Sequence, residues 1–235
     1  ASYASPVLAT VHGKRVAFCL MRQGLVALDP KTGKEYFKRW FRARVNESVN
    51  ASNPVVIGDQ VFCSTAYSGD GSFVLKIKKD LSGYTEVWSD YQRRVKTNDP
   101  RLDEVLGLHW MTPIVHEGNL YAFSGRNEPD ASFRCVEFAT GKLLWNQDEA
   151  WQKYGPPSNK YGRGSFIQAD GKLIVLGETG KLGLFALNAK KPEELAAHQV
   201  PQLRYPCWAA PAMADKRVYL RSEAVLVCYD FAKER

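Results

Sequence analysis

The side chains able to do chemistry are thinly spread. Four histidines are present, His12, His109, His116 and His198, and no H-E-x-x-H motif joins any two of them. His109 and His116 flank one predicted strand, and at about 3.3 Å per residue they stand ~23 Å apart, too far to share a metal ion. The five cysteines are Cys19, Cys63, Cys135, Cys207 and Cys228. Their number is odd and no C-x-x-C occurs, so neither a zinc ribbon nor a disulfide scaffold is supported. Cys19, Cys63, Cys135 and Cys228 lie in apolar strand-like runs and read as buried free thiols, with a Cys207–Cys228 bridge left open. G-x-S-x-G elbows, P-loops and dinucleotide fingerprints are absent. Ser68-Gly69-Asp70-Gly71-Ser72 comes nearest to a calcium loop but reads as a strand-connecting turn.

What must position these residues is a repeat. Five segments each pair an apolar opening run, usually containing Pro, with a Gly or Asp turn, a β-forming run, a second turn and a third apolar run. Equivalent residues are Val16, Val61, Leu120, Leu173 and Val218, at spacings of 45, 59, 53 and 45. A period near 50 with short alternating strands marks propeller blades. The spacer adds a strand after a tight Thr-Gly-Lys turn, as in Thr32-Gly33-Lys34-Glu35-Tyr36-Phe37 and Thr140-Gly141-Lys142-Leu143-Leu144-Trp145. Its aromatic residue, with Trp88 as the counterpart in the second copy, should pack between neighbouring blades. Residues 192–197 are the one place where a turn of helix is expected.

The composition suits a folded β protein: 45% hydrophobic, 24% charged, and a net charge of +7 from 32 basic and 25 acidic residues. The basic clusters, Lys76/Lys78/Lys79 and Arg93/Arg94/Lys96, are not interleaved with stacking aromatics, so nucleic-acid binding is not expected. No apolar run approaches the roughly 18 residues that span a membrane.

In propeller geometry the residues just before each innermost strand surround the central channel. That nominates Glu47, Asn50 and Asn53 in one copy, His109 and Trp110 in the next, then Arg163 with Ser165, and finally Trp208. Two tryptophans with an Arg and a His suit a planar or carbohydrate-like ligand, held by stacking and charge. The competing reading is that the tryptophans plug the channel as packing. Two insertions are candidate partner-contact loops: residues 91–108, with Arg93 and Arg94, and residues 148–164, with Trp151, Tyr154 and Tyr161. No residue is nominated as catalytic or as a metal ligand.

The string D-x-x-T-G-K-x-x-W/F after a G-x-[VL]-aromatic strand resembles the pyrroloquinoline quinone (PQQ)-like β-propeller repeat, over nearly the whole chain. That superfamily includes quinoprotein alcohol dehydrogenases and the lipoprotein of the outer-membrane β-barrel assembly machinery. Glu47–Pro54 and Arg134–Lys142 are similar to a planctomycete-type bacterial branch. The resemblance implies an all-β propeller of four-stranded antiparallel blades, normally seven or eight. About five are expected here, over residues 1–42, 43–91, 92–147, 148–200 and 201–235. We expect the chain to be the C-terminal part of a longer propeller. A dehydrogenase of this superfamily holds PQQ on a Trp and an Arg, with Ca²⁺ on Glu, Asn and Asp oxygens and two adjacent cysteines over the quinone. No adjacent cysteines occur here, so PQQ and calcium are expected only if upstream blades supply the site. The expectation is therefore a non-catalytic binding or scaffold module of the bacterial cell envelope, exported or periplasmic. A quinone- and calcium-dependent alcohol or sugar dehydrogenase, and a carbohydrate-binding propeller, are the alternatives. The partner would be a protein, or a second copy meeting open blade edges.

Overall fold

The computed structural model describes residues 2–42, 49–67, 71–97, 104–126, 131–147 and 161–232. The first sheet is β1 (Val7–Val11), β2 (Lys14–Met21), β3 (Gly24–Leu28) and β4 (Glu35–Trp40), each strand paired with the next. The second repeats this order with β5 (Val55–Ile57), β6 (Gln60–Ser64), β7 (Ser72–Ile77) and β8 (Tyr84–Ser89). The third contains β9 (Ile114–His116), β10 (Asn119–Ser124), β11 (Ser132–Glu137) and β12 (Leu143–Asn146). The fourth contains β13 (Ser165–Ala169), β14 (Lys172–Leu176), β15 (Lys181–Ala186) and β16 (Glu193–Gln199). The fifth has three strands, β17 (Ala212–Ala214), β18 (Arg217–Arg221) and β19 (Leu226–Asp230). Each of the five sheets contains one of the equivalent residues Val16, Val61, Leu120, Leu173 and Val218.

The chain forms two compact units, residues 1–126 with 136–143, and residues 127–135 with 144–235. In the first, alternation along the strands decides what is buried. Phe18, Leu20, Leu25, Ala27 and Phe37 turn to one face of the first sheet and meet Val61, Cys63, Phe73 and Leu75 of the second. Phe41 and Phe73 close this core edge to face, with ring centroids 4.7 Å apart. In the second unit, Leu176, Val200, Leu203 and Cys207 pack with Val218 and Leu220. Phe133 lies edge-on to Trp145, Phe166 and Phe185.

The Thr-Gly-Lys turns form as their residues require. Gly33 and Gly141 take φ of 73° and 70°, where a Cβ is disfavoured. The two turns share one hydrogen-bond pattern: Asp29 N–H to Lys34 C=O and Glu137 N–H to Lys142 C=O, both 2.8 Å. The aromatic residues around them pack as expected. Trp88 Nε1 donates to the Phe138 carbonyl at 2.8 Å, and Trp145 Nε1 to that of Asn188 at 2.9 Å. Gly141 lies directly against the Trp88 ring.

Three expectations are corrected. Residues 193–199 form strand β16, not a helical turn; antiparallel pairing along β15, from Lys181↔Gln199 to Ala186↔Glu193, overrides their local helix preference. The first insertion opens as a helix, α1 (Asp90–Thr97), rather than a loop. Its first residue, Asp90, is buried and accepts hydrogen bonds from the Ser72 N–H (2.8 Å) and the Val105 N–H (3.1 Å), so the insertion folds back onto the second sheet. All five cysteines are free, which closes the question of a Cys207–Cys228 bridge, and Cys228 is exposed rather than buried, on a strand of the three-stranded sheet.

Candidate functional site

The nominated residues fall into three environments. Asn50 is a structural staple. It is buried, its side-chain amide donates to the Met21 carbonyl at 2.7 Å, and its own carbonyl accepts from the Tyr3 and Ala4 N–H groups. Asn53 behaves similarly, its Oδ1 accepting from the Ser5 N–H at 2.7 Å. Ser165 is buried within β13. The Asn50 and Asn53 side chains thus make hydrogen bonds within the protein. Glu47, Trp151 and Tyr154 lie outside the described residues, as does the side chain of Arg94.

In the first unit, His109 and Trp110 join two residues that sequence reasoning did not single out. Tyr67 Oη and His109 Nε2 are 2.8 Å apart, and the His109 and Trp110 rings lie 4.5 Å apart. The Arg126 guanidinium sits 4.5 Å from the centre of the Tyr67 ring, a cation–π distance. The supporting backbone is tied from both sides. Ser64 Oγ donates to the Leu106 carbonyl and accepts from the Leu108 N–H, while Ser124 Oγ accepts from the Gly107 N–H.

In the second unit, Arg163 and Trp208 converge on a residue the sequence did not mark, Glu178. It occupies the turn between β14 and β15 and is fully buried. Its backbone N–H donates to the Tyr161 carbonyl and its carbonyl accepts from the Cys207 N–H, so the turn is fastened to the segments preceding β13 and β17. Its carboxylate accepts from the Arg163 N–H (2.9 Å), Arg163 Nε (3.1 Å) and Nη2 (2.8 Å), and Trp208 Nε1 (3.1 Å). A guanidinium fork, a main-chain donor and an indole thus meet the needs of a buried charge. Burial works against the Arg163 charge, but the Glu178 carboxylate outweighs it and holds the guanidinium pKa above its ordinary value. Outward of this pair, Tyr205 is 57% exposed and Trp208 41% exposed, edge to face at 5.8 Å. The result is an aromatic shelf anchored from beneath. The only sequence signal for Glu178 was its place between Gly177 and Gly180, which any turn would share.

Of the partner-contact residues, Tyr161 departs from the expectation. Tyr161 is fully buried against Phe185, with centroids 5.4 Å apart, so it packs the fourth sheet instead of meeting a partner. Gly183 makes room for it, since a Cβ there would run into the Tyr161 hydroxyl. Arg93 lies on helix α1, where Nη1 pairs with the buried Asp90 carboxylate at 3.1 Å.

Among the described residues, the nominated donors are engaged within the protein: Arg163 with Glu178 and the Asn50 amide with backbone carbonyls, while Cys207 has no adjacent cysteine. Among the described residues no group of three or more His, Cys, Asp or Glu is placed to hold a metal ion. No helix among them is long and apolar enough to cross a membrane.

With this geometry established, the sequence of residues 2–102 matches the model of a family described as outer membrane protein assembly factor BamB. The PQQ-like resemblance is supported over those residues, and beyond them the likeness is one of fold. The fold agrees along nearly the whole chain. BamB from Moraxella catarrhalis superposes with a TM-score of 0.60 at 12% identity, covering 97% of this chain and 58% of that one. Sqt1 of Saccharomyces cerevisiae gives 0.59 at 12%, covering 92% and 57%. A quinohemoprotein alcohol dehydrogenase, ADHIIG of Pseudomonas putida HK5, gives 0.58 at 15%, covering 94% and 39%. The chain therefore spans little more than half the length of the first two. A search of curated proteins by sequence finds no match. The fold is all-β and of propeller type, with five sheets of three or four antiparallel strands.

Proposed function

We propose that this chain is a non-catalytic binding or scaffold module built on PQQ-like propeller repeats and working in the bacterial cell envelope. One observation supports the reading: among the described residues, polar side chains nominated in each unit are engaged in holding that unit's own fold. Glu178 absorbs Arg163 and the Trp208 N–H, and Asn50 is consumed by the backbone. The family match over residues 2–102, to an outer-membrane assembly factor, supports the envelope setting and a protein partner. Open strand edges offer the contact. β4 and β19 are each the last strand of their sheet, and Leu226 at the start of β19 is 66% exposed.

The deciding experiment adds PQQ and Ca²⁺ to the purified protein and follows the quinone chromophore and dye reduction with alcohols and sugars. The proposal expects neither a retained chromophore nor turnover. A stoichiometric chromophore with turnover would establish the dehydrogenase alternative.

One observation favours a second reading, carbohydrate binding: the anchored, partly exposed Trp208–Tyr205 pair, a form suited to stacking on a sugar ring. A glycan array separates the two. A signal lost in Trp208→Ala but kept in Trp110→Ala supports a sugar site at Trp208, and an array blank for the wild type removes it.

A further inference from the structure

In the first unit, the turns β1–β2, β3–β4, β5–β6 and β7–β8 lie together at one end of the first two sheets. Three contacts show it. His12 Nε2, in the first of these turns, is 3.0 Å from the Ile77 carbonyl at the end of β7. The Ile77 N–H donates to the Asp59 carbonyl at 2.8 Å. The rings of Phe37 and Tyr84, near the starts of β4 and β8, have centroids 5.4 Å apart. Residues 12–15, 29–35, 58–60 and 76–83 form this end, and all of them are described. They close strand ends, so they stand clear of the faces by which one sheet packs on the next.

The charges of this end are unevenly committed. Seven of its residues are Lys or Arg and four are Asp or Glu. The acids are engaged. Asp29 Oδ1 accepts from the Lys31 and Thr32 N–H groups at 2.8 and 3.0 Å, and Asp80 Oδ1 from the Ser82 N–H and Oγ at 3.0 and 2.8 Å. Asp59 stands 3.8 Å from Lys76, and Glu35 3.9 Å from Lys38. Lys14, Arg15, Lys31, Lys34 and Lys79 are exposed and form no ion pair among the described residues. The third sheet dilutes the excess, since its corresponding turns bring Glu117 and Glu137 with Lys142. Apolar anchors are missing from the basic end: its two large aliphatic side chains, Ile77 and Leu81, are both buried.

We propose that this end of the first two sheets docks on a surface of anionic lipid headgroups, with Lys31, Lys34 and Lys79 meeting lipid phosphates. The cations are spread over several turns of two sheets instead of converging on one point, so a single small anion would reach few of them. An acidic peptide would need a groove or a pocket for its side chains, and a single-stranded nucleic acid would need aromatic rings to stack on. A headgroup layer needs neither. Its phosphates move laterally to meet cations wherever the protein holds them, and each Lys or Arg at the surface adds to the attraction.

The test is cosedimentation of the protein with vesicles of phosphatidylcholine, alone or with about one third phosphatidylglycerol. The protein should partition onto the anionic vesicles only, and should come off as salt rises to ~0.5 M. Each cation removed should weaken partitioning by about fivefold, so Lys79→Gln gives one such step and Lys31→Gln with Lys34→Gln two. Lys96→Gln, on helix α1 beyond the opposite end of β8, removes the same charge away from this surface and should leave partitioning unchanged. Inorganic phosphate at matched ionic strength should not displace the protein. All four substitutions are on exposed side chains, and near-ultraviolet dichroism confirms that each variant is folded. The proposal is overturned if the wild type ignores anionic vesicles or binds phosphatidylcholine equally. It is overturned too if Lys96→Gln weakens binding as much as Lys79→Gln, which would make net charge the cause. Displacement by phosphate, or tighter binding to an acidic peptide or a single-stranded RNA than to the vesicles, would also end it. Failure here would leave the scaffold reading intact, because that reading stands on the quinone and turnover assay.

Discussion

The two candidate sites use aromatic residues in opposite ways. In the first unit, His109, Tyr67 and Trp110 form a chain of aromatic contacts, with Arg126 laid over the Tyr67 ring. In the second, a fully buried carboxylate fixes Arg163 and Trp208 and leaves Trp208 and Tyr205 facing outward. The difference shows what a buried charge does in a turn. It fixes orientation, because a charge removed from water must keep nearly all its hydrogen bonds at once. The aromatic cluster is joined by a tyrosine–histidine hydrogen bond and ring contacts instead, so losing one contact should cost less.

The contrast is tested most severely at Glu178. Glu178→Ala removes the buried carboxylate that the Arg163 guanidinium and the Trp208 N–H meet, and should cost about 3–5 kcal/mol, measured by urea denaturation. A cost below ~1 kcal/mol would mean that water or another acceptor replaces the carboxylate, and the shelf would no longer count as anchored.

Gly141→Ala should cost less, about 1–3 kcal/mol. Its Cβ would come within 2.7 Å of the Trp88 ring, and the residue would keep a φ of 70°. The same change at Gly33 meets no atom within 4 Å, so only the backbone strain remains. Paired melts of the two variants therefore separate crowding from strain at equivalent turns.

Tyr67→Phe removes the hydroxyl that meets His109, and should cost about 1 kcal/mol by thermal melting. A loss as large as that of Glu178→Ala would erase the proposed distinction between the two clusters.

The smallest effect is read in pH. Asp29 has its pKa held below the ordinary carboxylate value by the Thr32 and Lys31 N–H groups. Its contribution to stability is present above its unfolded pKa and is lost as pH falls through the lower folded one. Asp90 is the reverse: burial raises its pKa against the hydrogen bonds of Val105 and Ser72. Its contribution is greatest below the unfolded pKa and is lost as pH rises through the higher folded one. Carboxyl titration by NMR should place Asp29 below and Asp90 above the free value. Like-signed shifts would show that burial does not dominate at Asp90.

The architecture was legible because a blade is local. Alternating residues, a glycine turn and an aromatic at fixed spacing lie within some 50 residues, so Gly33, Gly141, Trp88 and Trp145 occupy the roles their spacing implies. The sites were legible only in part. Arg163 and Trp208 were singled out, but for a ligand, while the residue that organises them, Glu178, looked like any polar turn residue. Tyr161 sat in an insertion and read as surface, yet Gly177 and Gly183 make room for its ring in the core.

The repeat, the turn type and the alternation of each strand were thus already legible in the order of amino acids, because period-2 alternation and glycine's access to positive φ act between near neighbours. Only the tertiary structure decided which polar groups are spent internally. The donors that satisfy Glu178 lie 15 and 30 residues away, and such pairings follow from how strands return, not from spacing along the chain.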